Sequence, residues 1–127
     1  MSDSPRFPVR FDAEAFAEDL YHATQAGRAV AERERFRLAR DGIRTSELQP
    51  CAAEGPEGTR LAGCVKTYLP QPDGQWGMVL TGDRELDGTP VLVYLAFGLR
   101  HPQRAWQPSI YQVAHRRLQL GGEPSTA

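Results

Sequence analysis

The spacing of apolar positions changes along the chain, and each change predicts an element. Residues 6–12, RFPVRFD, alternate Phe7, Val9 and Phe11 against Arg6, Pro8 and Arg10. Period two predicts a strand with one buried face, and Pro8 confines it to an edge or a strand start. Asp12 is placed to cap a helix whose first turn carries Glu14. From there Phe16, Leu20, Ala23 and Gly27 recur at helical spacing, and Gly27 is expected to end or bend that helix. Residues 28–42 predict a second helix. Phe36, Ala39 and Ile43 mark its apolar side, and Gly42 is its stop. The pairs Glu32–Arg35 and Glu34–Arg37 suit a solvated helix face.

The second half of the chain reads mainly as strands. Residues 45–58, rich in Pro, Gly and acid, predict a surface loop. In the next strand Leu61, Gly63, Val65 and Thr67 lie on one side and Ala62, Cys64, Lys66 and Tyr68 on the other, with Pro70 closing it. QPDG is turn chemistry, QWGMVLTG is a strand, and Asp87-Gly88 marks a further turn. VLVYLAFG is almost continuously apolar, as suits a central strand covered on both faces. A loop over residues 99–108 leads to Pro108, which starts a last helix with Ile110, Val113, Ala114 and Leu118 as its stripe. Leu120 is expected past its end, and GGEPSTA reads as a frayed tail. The expected fold is α+β, in the order β-α-α-β-β-β-α, with an antiparallel sheet and helices packed on one face.

At 127 residues the chain is expected to form a single domain over residues 1–127, with an ordered core at roughly 6–120. No apolar run approaches the length of a membrane span, and the N-terminus lacks the apolar stretch of a secretion signal. The expectation is a cytoplasmic protein with no membrane partner. Twelve residues separate Cys51 and Cys64, which in that setting are expected as free thiols. The net charge is −1, so any basic surface must be local and offset by acid elsewhere. Lys66 is the only lysine, and fourteen arginines supply the remaining positive charge. Arginine's planar fork suits phosphate, although arginine over lysine also follows from base composition.

Nucleotide-binding glycine motifs, the GxSxG elbow, HExxH and the EF-hand loop are all missing from the sequence. Cys51, Cys64, His101 and His115 are residue types suited to zinc, but their spacing is irregular, so no metal and no cofactor is expected. The stronger constellation surrounds the end of the apolar strand. Arg100 and His101 follow it directly, with Arg104 and Trp106 in the loop and Tyr111, His115, Arg116 and Arg117 on the last helix. Lys66 and Tyr68 lie on the first meander strand, and Arg84 lies in a turn. Such a face combines cations for phosphate, aromatic rings for base stacking and groups able to move protons. Each member also has an ordinary structural role open to it. The arginines near a helix C-terminus, for example, favourably meet its dipole.

Three features together resemble the RelE/ParE superfamily of small toxins, including its HigB-like branch. FPVRFDAEAFAEDL is similar to an opening strand and helix of that group, and the predicted order of elements is similar throughout. VYLAFGLRHPQRAWQPSIYQVAHRRL looks like the branch's ending. The resemblance implies an endoribonuclease of the mRNA-interferase type, acting on RNA or at the ribosome and neutralised by an antitoxin protein. The ParE branch instead poisons gyrase. On that analogy the site residues are Lys66, Arg84, Arg100, His101 and Tyr111. The alternatives are a non-catalytic module that binds protein or nucleic acid, a degenerate toxin fold, and a homodimer with Trp76 and Trp106 at its interface.

Overall fold

The computed structural model describes residues 6–55, 58–69, 76–102 and 107–122. Pro8 divides the opening strand in two, β1 (Arg6–Phe7) and β2 (Val9–Arg10). Asp12 then caps α1 (Ala13–His22), its carboxylate accepting from the backbone N–H groups of Glu14 and Ala15. That helix stops before Gly27. Thr24 accepts from the Gly27 N–H and so caps a new helix, α2 (Gln25–Asp41), placing Gly27 in its first turn. A side-chain cap, not the glycine, sets the break. Gly42 ends α2 at φ 71°, a positive backbone angle that glycine adopts without strain.

Within residues 45–58, the expected loop, the chain forms a 3₁₀ turn (Thr45–Glu47) and a short strand, β4 (Gln49–Pro50), after β3 (Ile43–Arg44). The long strands are β5 (Cys64–Leu69), β6 (Trp76–Arg84) and β7 (Pro90–Leu99), followed by α3 (Ile110–Gly122). Ser109 caps α3, its hydroxyl accepting from the Gln112 N–H while the Gln112 side chain accepts from the Ser109 N–H. Leu120 therefore lies inside the helix, although exposed.

The α+β class stands, and two details of the expected architecture are corrected. First, the five-stranded sheet, in the order β2-β7-β6-β5-β4, is mixed: β2 runs parallel to β7, and the other neighbours are antiparallel. A separate pair joins β1 to β3. Second, the helices do not share one face. Phe16 of α1 and Val30, Ala31 and Leu38 of α2 pack against Leu69, Trp76, Met78, Leu80, Leu92, Tyr94 and Phe97. Ile110 and Ala114 of α3 pack on the other side, against Cys51, Cys64, Val79, Leu95 and Ala96. The sheet is thus the middle of three layers. The two-sided burial expected of residues 91–98 requires this, because one helical layer cannot cover both faces.

A bulge lets β7 serve both layers. Val79 faces Ala96 and Leu80 faces Tyr94, so Leu95 is the extra residue. Leu95 and Ala96 both point to α3, while Tyr94 and Phe97 on either side point to α1 and α2. On α2 the buried residues are Gly27, Val30, Ala31 and Leu38. Phe36, expected inside, is 68% exposed and lies under the Arg40 guanidinium. Of the expected helix pairs, Glu34–Arg37 forms at 2.8 Å. Arg35 lies instead over the rings of Phe11 and Phe16.

Beyond Val93, β7 outruns β2 and its backbone would be unpaired on that side. Two side chains from opposite layers complete it. Asp19 of α1 accepts from the Phe97 N–H at 3.0 Å and from the Tyr94 hydroxyl. Arg117 of α3 donates to the Leu95 carbonyl at 2.7 Å and to both oxygens of Asp19 at 2.8 Å. Glu18 accepts a further bond from Arg117. Burial works against the Arg117 charge, but Asp19 and Glu18 more than offset it and raise its pKa. Burial, with the Asp19 charge beside it, also raises the Tyr94 phenol. Among the described residues no helix is long and apolar enough to cross a membrane.

Candidate functional site

On the α3 side of the sheet, Tyr68 of β5 is the register partner of Gly77 on β6, and Gly77 in turn faces Gly98 on β7. Two glycines in adjacent strands leave a shallow trough across the sheet. A Cβ on Gly77 would sit 3.0 Å from both Arg100 Cγ and Ile110 Cδ1, and one on Gly98 would sit 2.9 Å from Ile110 Cγ2. The trough therefore admits the Arg100 stem and the first turn of α3. Arg100 leaves the end of β7, crosses over Gly77 and lays its guanidinium on the Tyr68 ring, 3.6 Å from the centroid. Lys66 lies two residues before Tyr68 and so on the same face. Its Nζ is 5.5 Å from the Tyr68 centroid and 5.3 Å from that of Tyr111 on α3.

Lys66, Tyr68, Arg100 and Tyr111 thus form one half-buried cluster of two cations and two phenols. Neither cation is held in an ion pair with a carboxylate among the described residues. The Arg100 Nε–H is buried without a hydrogen-bond acceptor among the described residues. Burial opposes ionisation of Tyr68, but contact with the Lys66 ammonium and the charges of Lys66 and Arg100 prevail and lower its pKa. Lys66 responds in the opposite sense. Burial disfavours its charge, while Tyr68, Tyr111 and Cys51 favour it and leave its pKa raised. Chemically, the cluster offers two cations for an oxyanion, with phenol hydroxyls and aromatic rings beside them.

Of the expected site residues, Lys66, Arg100 and Tyr111 come together. His101 follows Arg100 in the chain and is exposed to solvent. Arg84 does not join. It ends β6, seven residues from Gly77 or about 23 Å at strand spacing, and donates to the Gly88 carbonyl within its own turn. Arg117 is committed to the Asp19 clamp, and His115 accepts from the Arg60 N–H at 2.8 Å through Nδ1. Arg104 and Trp106 fall outside the described residues. Trp76, expected at an interface, is 5% exposed and stacks on Phe97. Cys51 and Cys64 are buried free thiols, and no group of three or more metal-ligating side chains converges among the described residues.

Tyr68 is the member of the cluster that the sequence placed nearby but not among the candidate site residues. Its signal was present, since it shares a face with Lys66 and two strand glycines lie across from it. Glycine inside a strand marks a close approach to the backbone, and here the approaching group is the Arg100 side chain. No protein-family model matches the chain, and neither a curated protein nor a solved structure matches it significantly.

Proposed function

We propose that the protein is a RelE/ParE-like toxin-type protein that acts on RNA through the Lys66–Tyr68–Arg100–Tyr111 cluster. The observation that carries this reading is the pair of cations, both without carboxylate partners among the described residues, converging on one phenol at a half-buried surface. A phosphodiester bridging Lys66 and Arg100 would find charge-assisted donors in the ammonium and the terminal guanidinium nitrogens. Tyr111 offers an aromatic ring for an unstacked base. In cleavage by a ribose 2′-hydroxyl, the two cations would stabilise charge developing on the phosphate. His101, exposed beside Arg100, would protonate the leaving oxygen. An antitoxin protein that covers this face would hold such an activity in check.

Induced expression in a bacterial host tests the proposal, with growth and RNA integrity as readouts. Growth arrest with RNA breakdown is expected from the native chain, and neither from Arg100→Ala. In vitro, the affinity for single-stranded RNA should fall with salt, and removing Arg100 should reduce the log–log slope by about 0.7. Intact RNA with a salt-dependent affinity would favour a non-catalytic binding module. Loss of both arrest and affinity would reject the RNA reading.

A further inference from the structure

We infer that Cys51 and Cys64 form an oxidisable dithiol, a modification site that takes a small-molecule disulfide and closes into a covalent staple between the β4 edge and β5. The pairing of β4 with β5 matches Gln49 with Lys66 and Pro50 with Val65. The next step of that register matches Cys51 with Cys64, and the Cys51 N–H donates to the Cys64 carbonyl at 3.1 Å. The cysteines are therefore opposed across the last bond of the ladder, the Cys64 N–H turning instead to the Leu61 carbonyl, and Cα atoms of such opposed residues lie about 5.5 Å apart. That separation falls within the range a disulfide spans. Pro50 supports the assignment: it occupies the alternate, non-hydrogen-bonded position, where its missing N–H costs nothing. Both thiols also face α3, packed in one cluster with Val79, Ala96 and Ile110.

The two thiols differ in access. Cys64 sits within β5, whereas Cys51 follows a two-residue edge strand and precedes exposed Ala52 and Ala53. Opening of that edge exposes Cys51 first. Its thiolate attacks a sulfur of the incoming disulfide, forming a mixed disulfide and releasing one small thiol. Cys64 then attacks the Cys51 sulfur and releases the second small thiol. The two protons end on the released thiols, the cysteines are oxidised, and the small disulfide is reduced. The staple closes a loop that spans residues 51–64 and lies beside Lys66, whose charge already reaches Cys51. The inference rests on strand register and is independent of the RNA reading.

The native full-length chain is incubated with oxidised glutathione at mildly alkaline pH, then alkylated and analysed by mass spectrometry and thermal melting. The expected product has lost two hydrogens per chain, links the Cys51 and Cys64 peptides, and melts about 10 °C higher. A reducing thiol should reverse all three changes. Cys51→Ser and Cys64→Ser should each abolish the product. If Cys64→Ser fails to fold, Cys51→Ser at the strand edge carries the control. Glutathione adducts alone, covalent dimers, or two thiols still alkylatable after a day would overturn the inference. RNA cleavage need not be measured, so failure here leaves the toxin reading standing, and the reverse.

Discussion

The Asp19 side chain ties α1 to β7 and to α3. It is 8% exposed and accepts from Tyr94, Phe97 and Arg117 at once. Removing one member of such a buried set leaves an uncompensated charge. Asp19→Ala should therefore cost about 3–5 kcal/mol in urea denaturation. Adding Arg117→Met should recover part of that loss, because the stranded guanidinium is then gone. Cys51 supplies a second residue-scale prediction. Burial, with the neighbouring Cys64, pushes its thiol up to about 11, while an unfolded thiol titrates near ~8.5. Between those values the unfolded chain releases a proton that the folded chain keeps, so stability is full below the lower value and falls as pH rises through the upper. Under reducing conditions the urea midpoint should drop from pH 8 to pH 10.5, and Cys51→Ala should flatten that drop. None of this was legible in the sequence. The aspartate and the arginine are 98 residues apart, and no local pattern distinguishes a clamp from a solvated charge.

At the scale of elements, periodicity located the helices and long strands but misjudged which side of α2 is buried. Phe36 and Ala39 made an apolar stripe by type, whereas the core took the smaller Gly27, Val30, Ala31 and the single Leu38. The reason is Trp76. A Cβ on Gly27 would lie 2.3 Å from the Trp76 ring, so α2 approaches the sheet as closely as it does only through that glycine. Gly27→Ala should thus reverse its usual sign. Helix propensity favours alanine by about 1 kcal/mol, yet overpacking against the indole should leave a net loss of about 1–2 kcal/mol, read from the urea midpoint. Gly77 makes the matching prediction for the candidate site. Gly77→Val removes no charge but occupies the path of the Arg100 stem. RNA affinity should fall as it does for Arg100→Ala, while the far-ultraviolet circular dichroism stays native. The basic residues of the site were legible as types and positions. Their convergence depended on the trough, which only the register reveals.

For the molecule as a whole, the near-neutral charge hides a division of labour. Most arginines with defined partners act structurally: Arg10 pairs with Asp83, Arg37 with Glu34 and Glu47, and Arg117 with Asp19 and Glu18. Lys66 and Arg100 stand apart on the α3 face, so a weak net charge is compatible with a concentrated local one. Acid should loosen the structural set first. Burial works against Glu47, but the Arg44 N–H and the Arg37 guanidinium keep its pKa below the usual carboxylate value. Its contribution is present above the unfolded carboxylate range and is lost as pH falls through the folded value. Glu47→Gln should make the urea midpoint less sensitive to pH between 5 and 3. The three-layer arrangement was half-legible: the unbroken apolar run at residues 91–98 demanded cover on two sides, but nothing local assigned α3 to the second. That assignment has a further consequence. α1 and α3 reach each other around the rim of β7, where Asp19 and Arg117 occupy hydrogen-bonding groups that another chain could otherwise seize. Unlatching them would present a raw strand as a template, so the clamp guards against fibre-like self-assembly as much as it holds the fold together.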